Sequence, residues 1–222
     1  MSEKLNFGFD IPKDELESRI HYNTQIIPGY NIVPLKHLVN IDKLVALKKE
    51  EVEAYLRHIP LEKDKGFFPF KDAEICRHQS GPHGLHVPQT FILRSKLVSL
   101  LEGLDDLYMD HAFPCLAQRT THYAFGEDAS GRKVVGIYFP PLVEVIDGGY
   151  IALLLDGNHR MALGGVGASF ETLLIKKSTG RPPYSGIPWH RNFVDEKPPI
   201  VERYIDLDMD WFRDFGHIGL DG

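Results

Sequence analysis

The residues with the most chemical content stand in one run, Asp156-Gly157-Asn158-His159-Arg160, between an almost wholly apolar segment and Met161-Ala162-Leu163. The apolar segment reads as a strand buried on both faces, and the residues after the run as the start of a helix. A buried strand leading through Asp-Gly into a helix makes an anion site. The first backbone N–H groups of a helix have no partner within it, and its dipole is positive at that end. Gly157 permits close approach of the backbone to a ligand. Asn158, His159 and Arg160 then stand where phosphate oxygens would lie, and Arg offers its donors as a fork. Asp156 is placed to hold a metal ion or to orient a nucleophile. The same residues also suit a plainer role, with Asp156 capping a helix and the basic side chains solvated.

Other groups invite chemistry with less support from spacing. Cys76-x-His78, His83-x2-His86 and His111-x3-Cys115 offer zinc-type ligands. Structural zinc sites use tighter paired spacings, so these read as ordinary histidines of a loop that packs on the core or supplies substrate contacts. Trp189-His190-Arg191 either stacks on a base and reaches a phosphate, or anchors the tail through its Trp. Lys48-Lys49-Glu50-Glu51 reads as a solvated helix face. The sequence contains no Gly-x4-Gly-Lys-Ser/Thr loop and no Gly-x-Ser-x-Gly elbow. Phosphate-loop NTPase and α/β-hydrolase chemistry therefore lack their usual residues.

The elements that must position the run are legible on its two sides. Val134–Phe139, Leu142–Ile146 and Tyr150–Leu155 read as strands, with Asp147-Gly148-Gly149 as a hairpin turn and Thr172–Ile175 as a last strand. Upstream, Leu44, Leu47, Val52, Tyr55, Leu56 and Ile59 fit a helical period, so a helix is expected over Val39–Ile59, ended by Pro60. A second helix is expected over Thr90–Tyr108, with shorter ones over Pro12–Ile20 and Met209–Phe215, and a short strand over Tyr30–Val33. Residues 60–90 and 113–132 read as irregular apart from a polar turn, Gly126–Gly131. The tail from residue 178 is broken by prolines and reads as loops wrapped over the domain.

Composition bounds the function classes. The chain has 222 residues, 43% hydrophobic and 25% charged, which suits one large globular domain or a domain with an insertion and excludes a disordered chain. No apolar run approaches the length of about 18 residues that a membrane helix needs. The first ten residues carry no signal-peptide pattern, and two cysteines suit a reducing compartment, so a cytoplasmic location is expected. A net charge of −6 disfavours nucleic-acid binding, which needs clustered positive charge.

Pro140 through Leu163 resembles the core of the ParB/sulfiredoxin-like superfamily: a proline, a strand, a hairpin, then a Gly-x-(His/Arg)-Arg turn opening a helix. Val166-Gly167 and the strand over 172–175 match the usual continuation, so the resemblance spans about residues 133–177. It implies an α/β domain of ParB/sulfiredoxin-like type, here with an insertion over about 60–132 and a C-terminal wrap, which binds nucleotide phosphates at the turn. Sulfiredoxins carry a reactive cysteine where this chain has Asn158, so their chemistry is not implied. Partition proteins add a helix-turn-helix domain, which the proline-broken tail does not resemble. The free serine kinase branch is most similar, since its turn reads Asp-Gly-His-His-Arg. That likeness implies Asp42 as the base on a substrate hydroxyl and Asp156 as its assistant and metal ligand, with Gly157, Asn158, His159 and Arg160 on the phosphates. The expected cofactor is ATP, ADP or CTP with Mg²⁺, and the expected partner a small hydroxyl-containing metabolite. A non-catalytic nucleotide-responsive module is the alternative, and a ParB-like nuclease a third.

Overall fold

The structure is a computed structural model that describes residues 4–6, 10–12, 31–33, 37–89, 91–98, 121–146, 148, 151–163, 170–190 and 192–218. In chain order the strands are β1 (Lys4–Asn6), β2 (Asp10–Pro12), β3 (Asn31–Val33), β4 (Leu38–Ala46), β5 (Glu74–Ser80), β6 (His86–Val87) and β7 (Ile92–Leu93). They continue as β8 (His122–Asp128), β9 (Lys133–Tyr138), β10 (Leu142–Ile146), β11 (Ile151–Asp156), β12 (Phe170–Lys176), β13 (Ile187–Pro188) and β14 (Phe193–Val194). The helices are α1 (Lys49–Arg57), α2 (Asn158–Leu163) and α3 (Ile200–Arg203). The fold is thus mixed α/β, mostly sheet with few helices.

A six-stranded sheet has the order β13-β6-β11-β10-β12-β5, and a four-stranded sheet the order β3-β9-β8-β4. β10 runs antiparallel to β11 and parallel to β12. β11 is central and buried on both faces, as its unbroken apolar run requires. Leu153 and Leu155 enter the main core, while Leu154 joins Leu85, Val87, Val143 and Met161 in a second cluster. The main core gathers both sheets and α1, with Tyr123, Phe125 and Ile137 from one sheet, Leu142, Leu173 and Ile175 from the other, and Tyr55 and Leu56 from the helix.

Five expectations are corrected. Val39–Ile59 is not one helix: residues 38–46 form β4, and only 49–57 are helical. Leu44 and Leu47 fall on a helical period, but β4 gains a ladder with β8, a long-range pairing that local period does not report. Residues 60–90 contain β5 and β6, and 121–128 contain β8. The short helix expected over 209–215 is instead a bend followed by a 3-10 turn at Phe215–Ile218. Glu51 is not on a solvated face: it is buried, and its carboxylate accepts the Lys48 N–H at 2.5 Å, fastening the start of α1. The helix expected over 90–108 is overturned at Ile92–Leu93, which form β7; 94–98 are helical, and beyond that it lies outside the described residues, as do 13–20.

The tail is part of the core. Arg213 is buried and donates from Nη2 to both Glu144 oxygens, at 3.0 and 3.2 Å, and from Nη1 to the Arg181 and Trp211 carbonyls. Ser178 Oγ also donates to Glu144. Residues 178–213 are thereby fastened to β10.

The polar turn between β8 and β9 is built around Asp128. Its carboxylate accepts from Ser130 N–H at 2.9 Å, from the Ser130 hydroxyl, and from Arg132 Nε at 2.9 Å. The bonds from Ser130, then Arg132, hold its carboxyl well below the usual carboxylate range. A depressed folded-state pKa adds stability above the unfolded value of about 3.9 that is lost as pH falls through the folded value. Between about pH 4 and the acid limit, the amides of Ser130 and Arg132 are expected to lose hydrogen-exchange protection before those of β10 and β11. Simultaneous loss at all these amides would contradict the assignment.

Candidate functional site

The 156–160 turn joins β11 to α2 and is packed on three sides. Gly157 has φ +103°, a conformation that side chains rarely adopt. A Cβ there would lie 2.7 Å from Pro141 Cβ, so the close approach that Gly157 permits is first to the protein's own chain. The Met161 N–H donates to the Gly157 carbonyl at 2.9 Å, which begins α2.

Asp156, at the end of β11, and Arg160, in α2, form an ion pair four residues apart, with side chains 12% and 15% exposed. Arg160 also donates to the Phe139 carbonyl and lies over the Tyr138 ring, 5.4 Å from its centroid. Burial alone would lower the pKa of this guanidinium, but the Asp156 carboxylate and Tyr138 hold it above its ordinary value. Arg160 is therefore a fixed cation with a carboxylate on one arm and a backbone carbonyl on the other, which differs from a solvated arginine.

The other two side chains hold the segment around β7. His159 Nε2 accepts the Leu93 N–H at 3.0 Å, which requires an unprotonated Nε2. Asn158 Nδ2 donates to the Phe91 carbonyl at 3.2 Å and to Gln89 Oε1 at 3.3 Å. Both partners are acceptors, so the orientation of the Asn158 amide is determined. Asn158 is buried, and its Oδ1 has no hydrogen-bond partner among the described residues. Gln89 Nε2 in turn donates to the Tyr204 hydroxyl at 3.4 Å. Tyr204 stacks on Tyr184 with centroids 5.0 Å apart, and the Tyr184 hydroxyl reaches the Leu155 carbonyl at 3.4 Å. Burial pushes the pKa of both tyrosines up. The turn, the segment 89–93 and the tail thus form one hydrogen-bonded and stacked unit.

Asp42 is not part of it. Two bulges interrupt the β4–β8 ladder, and the second falls between Ile41 and Lys43, which puts Asp42 at a bulge, on an exposed position of an edge strand. The registers align Ala46, His122 and Tyr138, which puts Asp42 four residues along and two strands across from Tyr138, roughly 15 Å by strand spacing. The remaining candidates also separate. Cys76 and His78 lie on β5, the outer strand of the other sheet edge from His86 on β6, and His83 is exposed. His111 and Cys115 lie outside the described residues. Among the described residues no group of three His, Cys, Asp or Glu could hold a metal ion. Trp189 donates its N–H to the Leu85 carbonyl at 3.1 Å and packs on the second cluster, which makes it an anchor for β13.

No family model, curated protein or solved structure matches this chain. The site's geometry therefore carries the functional reading. Gln89, Leu93, Tyr138 and Tyr204 escaped the sequence reading of the site, because each meets the turn through chain folding; Pro141 stood in the resembling segment, but its contact with Gly157 was not legible there.

Proposed function

We propose that the chain is a nucleotide-responsive binding module of ParB/sulfiredoxin-like type, with the 156–160 turn as its phosphate site. The observation that carries this reading is the wiring of the turn: Asn158 and His159 hold 89–93, and Gln89 passes the connection to Tyr204 in the tail. A ligand that engages these side chains loosens those bonds and shifts the segment and tail between two arrangements. The ligand class is ATP, ADP or CTP. Mg²⁺ fits as part of a metal–nucleotide complex, because Asp156 offers one carboxylate and Mg²⁺ takes its remaining ligands from phosphates and water. The cation there would neutralise phosphate charge.

Phosphoryl transfer to a small hydroxyl-containing metabolite is the second reading. It is favoured by the juxtaposition of a carboxylate, Asp156, with a cationic fork, Arg160, since this chemistry is mostly positioning and charge neutralisation. The base is then Asp156 alone, because Asp42 stands on a distant edge strand.

Calorimetric titration with ATP, ADP and CTP in Mg²⁺ tests the site. Binding is expected for at least one, with altered hydrogen exchange at 89–93. Arg160→Ala should weaken it about ten-fold or more, the usual loss for a charge-assisted hydrogen bond. Failure of all three nucleotides to bind would remove the reading. Phosphorus NMR with a panel of hydroxy amino acids, sugars and nucleosides then separates the two: a new phosphate ester selects transfer.

A further inference from the structure

The two larger sheets have four edges among the described residues, and three of them are blunted. β13 has two residues, one of them Pro188, β3 has three, and β4 carries two bulges. Short strands, prolines and bulges are the usual guards against association through a sheet edge. β5 has none of them. Its seven residues contain no proline, and its register with β12 runs unbroken from Glu74 to Ser80. Glu74, Arg77, His78 and Gln79 are exposed, and Cys76 is half-buried. We infer that β5 is a dimerisation edge, which pairs antiparallel with β5 of a second copy of this chain about a two-fold axis at Cys76.

The directions of the backbone groups fix which residues can pair. The Leu173 N–H donates to the Pro141 carbonyl, toward β10, so Thr172 and Leu174 on either side of it turn theirs toward β5. Their partners on β5 are His78 and Cys76. The His78 carbonyl also accepts from the Thr172 hydroxyl at 3.0 Å, which places it on that side. Ile75 and Arg77 therefore turn their N–H and C=O outward, and no described strand pairs with them there. A two-fold axis at Cys76, perpendicular to the sheet, sets Ile75 of each copy opposite Arg77 of the other, and each such pair exchanges two backbone hydrogen bonds. On the other face it sets Glu74, whose side chain is 50% exposed beside Lys177, opposite the exposed His78 of the second copy, an acceptor against a ring N–H. Neighbouring registers fit less well. An axis at Arg77 puts two guanidinium groups opposite each other, and like charges so placed destabilise a ladder. An axis at Ile75 calls on the Ala73 N–H, which is already given to the Phe70 carbonyl at 3.1 Å. An axis at His78 runs the second strand onto Ser80, which is buried.

The test is sedimentation of the full chain over a dilution series, with hydrogen exchange of the Ile75 and Arg77 amides at each concentration. A reversible dimer of twice the chain mass is expected, with both amides protected in it and exchanging freely on dilution. His78→Glu sets like charges opposite at two symmetric positions and should weaken the dimer roughly 2–30-fold, and adding Glu74→Gln should restore it. Both side chains are exposed, and circular dichroism checks the fold of the variants. Diamide, which takes the hydrogens of two thiols, should link the dimer through a Cys76–Cys76 disulfide that peptide mass spectrometry identifies. Facing residues of a non-hydrogen-bonded pair lie about 4.5 Å apart at Cα, within disulfide reach. A chain that stays monomeric at submillimolar concentration overturns the inference, and the wild-type measurement decides this without any variant. A dimer in which Ile75 and Arg77 stay unprotected, one that His78→Glu leaves unchanged, or one linked only through Cys115 also overturns it.

Discussion

Replacing Arg213 with alanine is expected to remove about 3–5 kcal/mol of stability, roughly 6–20 °C in melting temperature for a chain of this size. Arg213 and Glu144 are both about 1% exposed, and the arginine neutralises the carboxylate through two bonds. Alanine leaves Glu144 buried with only the Ser178 hydroxyl for company, and it strips the Arg181 and Trp211 carbonyls of their donor. The cost comes from leaving a buried charge unpaired, which exceeds the net value of an intact pair. The double change Glu144→Leu with Arg213→Met removes both charges and refills the volume, and it should recover most of the loss. Recovery stays partial because the two carbonyls remain without the guanidinium. A shift below about 2 °C for Arg213→Ala, read by calorimetry or circular dichroism, would mean that the tail is not fastened at this point. The consequence for function is direct: Tyr184 and Tyr204 stand on the fastened tail, so its release would also unstack the platform behind Gln89.

The strands around the turn were legible because each carries its own signal. Val134–Phe139 and Leu142–Ile146 are rich in β-branched residues, the run to Leu155 is apolar throughout, and all are bounded by turn residues; the structure places β9, β10 and β11 there within a residue or two. The turn expected over Gly126–Gly131 was legible in its second half for a local reason, with the Asp128 carboxylate accepting from the Ser130 N–H and hydroxyl, while Gly126–Asp128 belong to β8. Residues 38–46 were not. Leu44, Val45 and Leu47 satisfy a helical count as well as an extended one, and the choice was made by β8, some 80 residues away. At the site, the five residues of the turn were found from type and order. Their use was not, because it depends on neighbours that only folding brings near. Arg160 looks like a solvated donor until Phe139 and Tyr138 are seen to hold it. His159 looks like a phosphate ligand until Leu93 is found on its Nε2. Asp42 shows the converse. A carboxylate aligned by resemblance to a helix lies on a bulged edge strand, so its distance from the turn was not a local property of the sequence.

Gly157→Ala is the sharpest test of what the glycine does. In the sequence it reads as leaving room for a ligand, but the atoms nearest its missing side chain belong to Pro141, with Cβ at 2.7 Å and Cα and Cγ at 3.0 Å. Pro141 has little freedom to retreat, because its carbonyl accepts the Leu173 N–H at 2.9 Å and ties it to β12. An alanine would also have to adopt φ +103°. Backbone strain of about 1–3 kcal/mol and overpacking of about 1–3 kcal/mol add to a loss of roughly 2–6 kcal/mol, read as a lower urea midpoint at unchanged slope. Pro141→Gly in the same chain removes the ring and Cβ and should return most of the packing share, leaving the contact with the Cα and the backbone share. The coupling between the two changes therefore measures the contact itself. If the glycine served ligand approach alone, Gly157→Ala would cost only the backbone strain of about 1–3 kcal/mol, and Pro141→Gly would return none of it. A large loss relieved by Pro141→Gly means that the strand–turn junction is rigid before any ligand arrives, so Asp156 at the end of β11 and Arg160 in α2 are held together by the packing of Gly157 on Pro141.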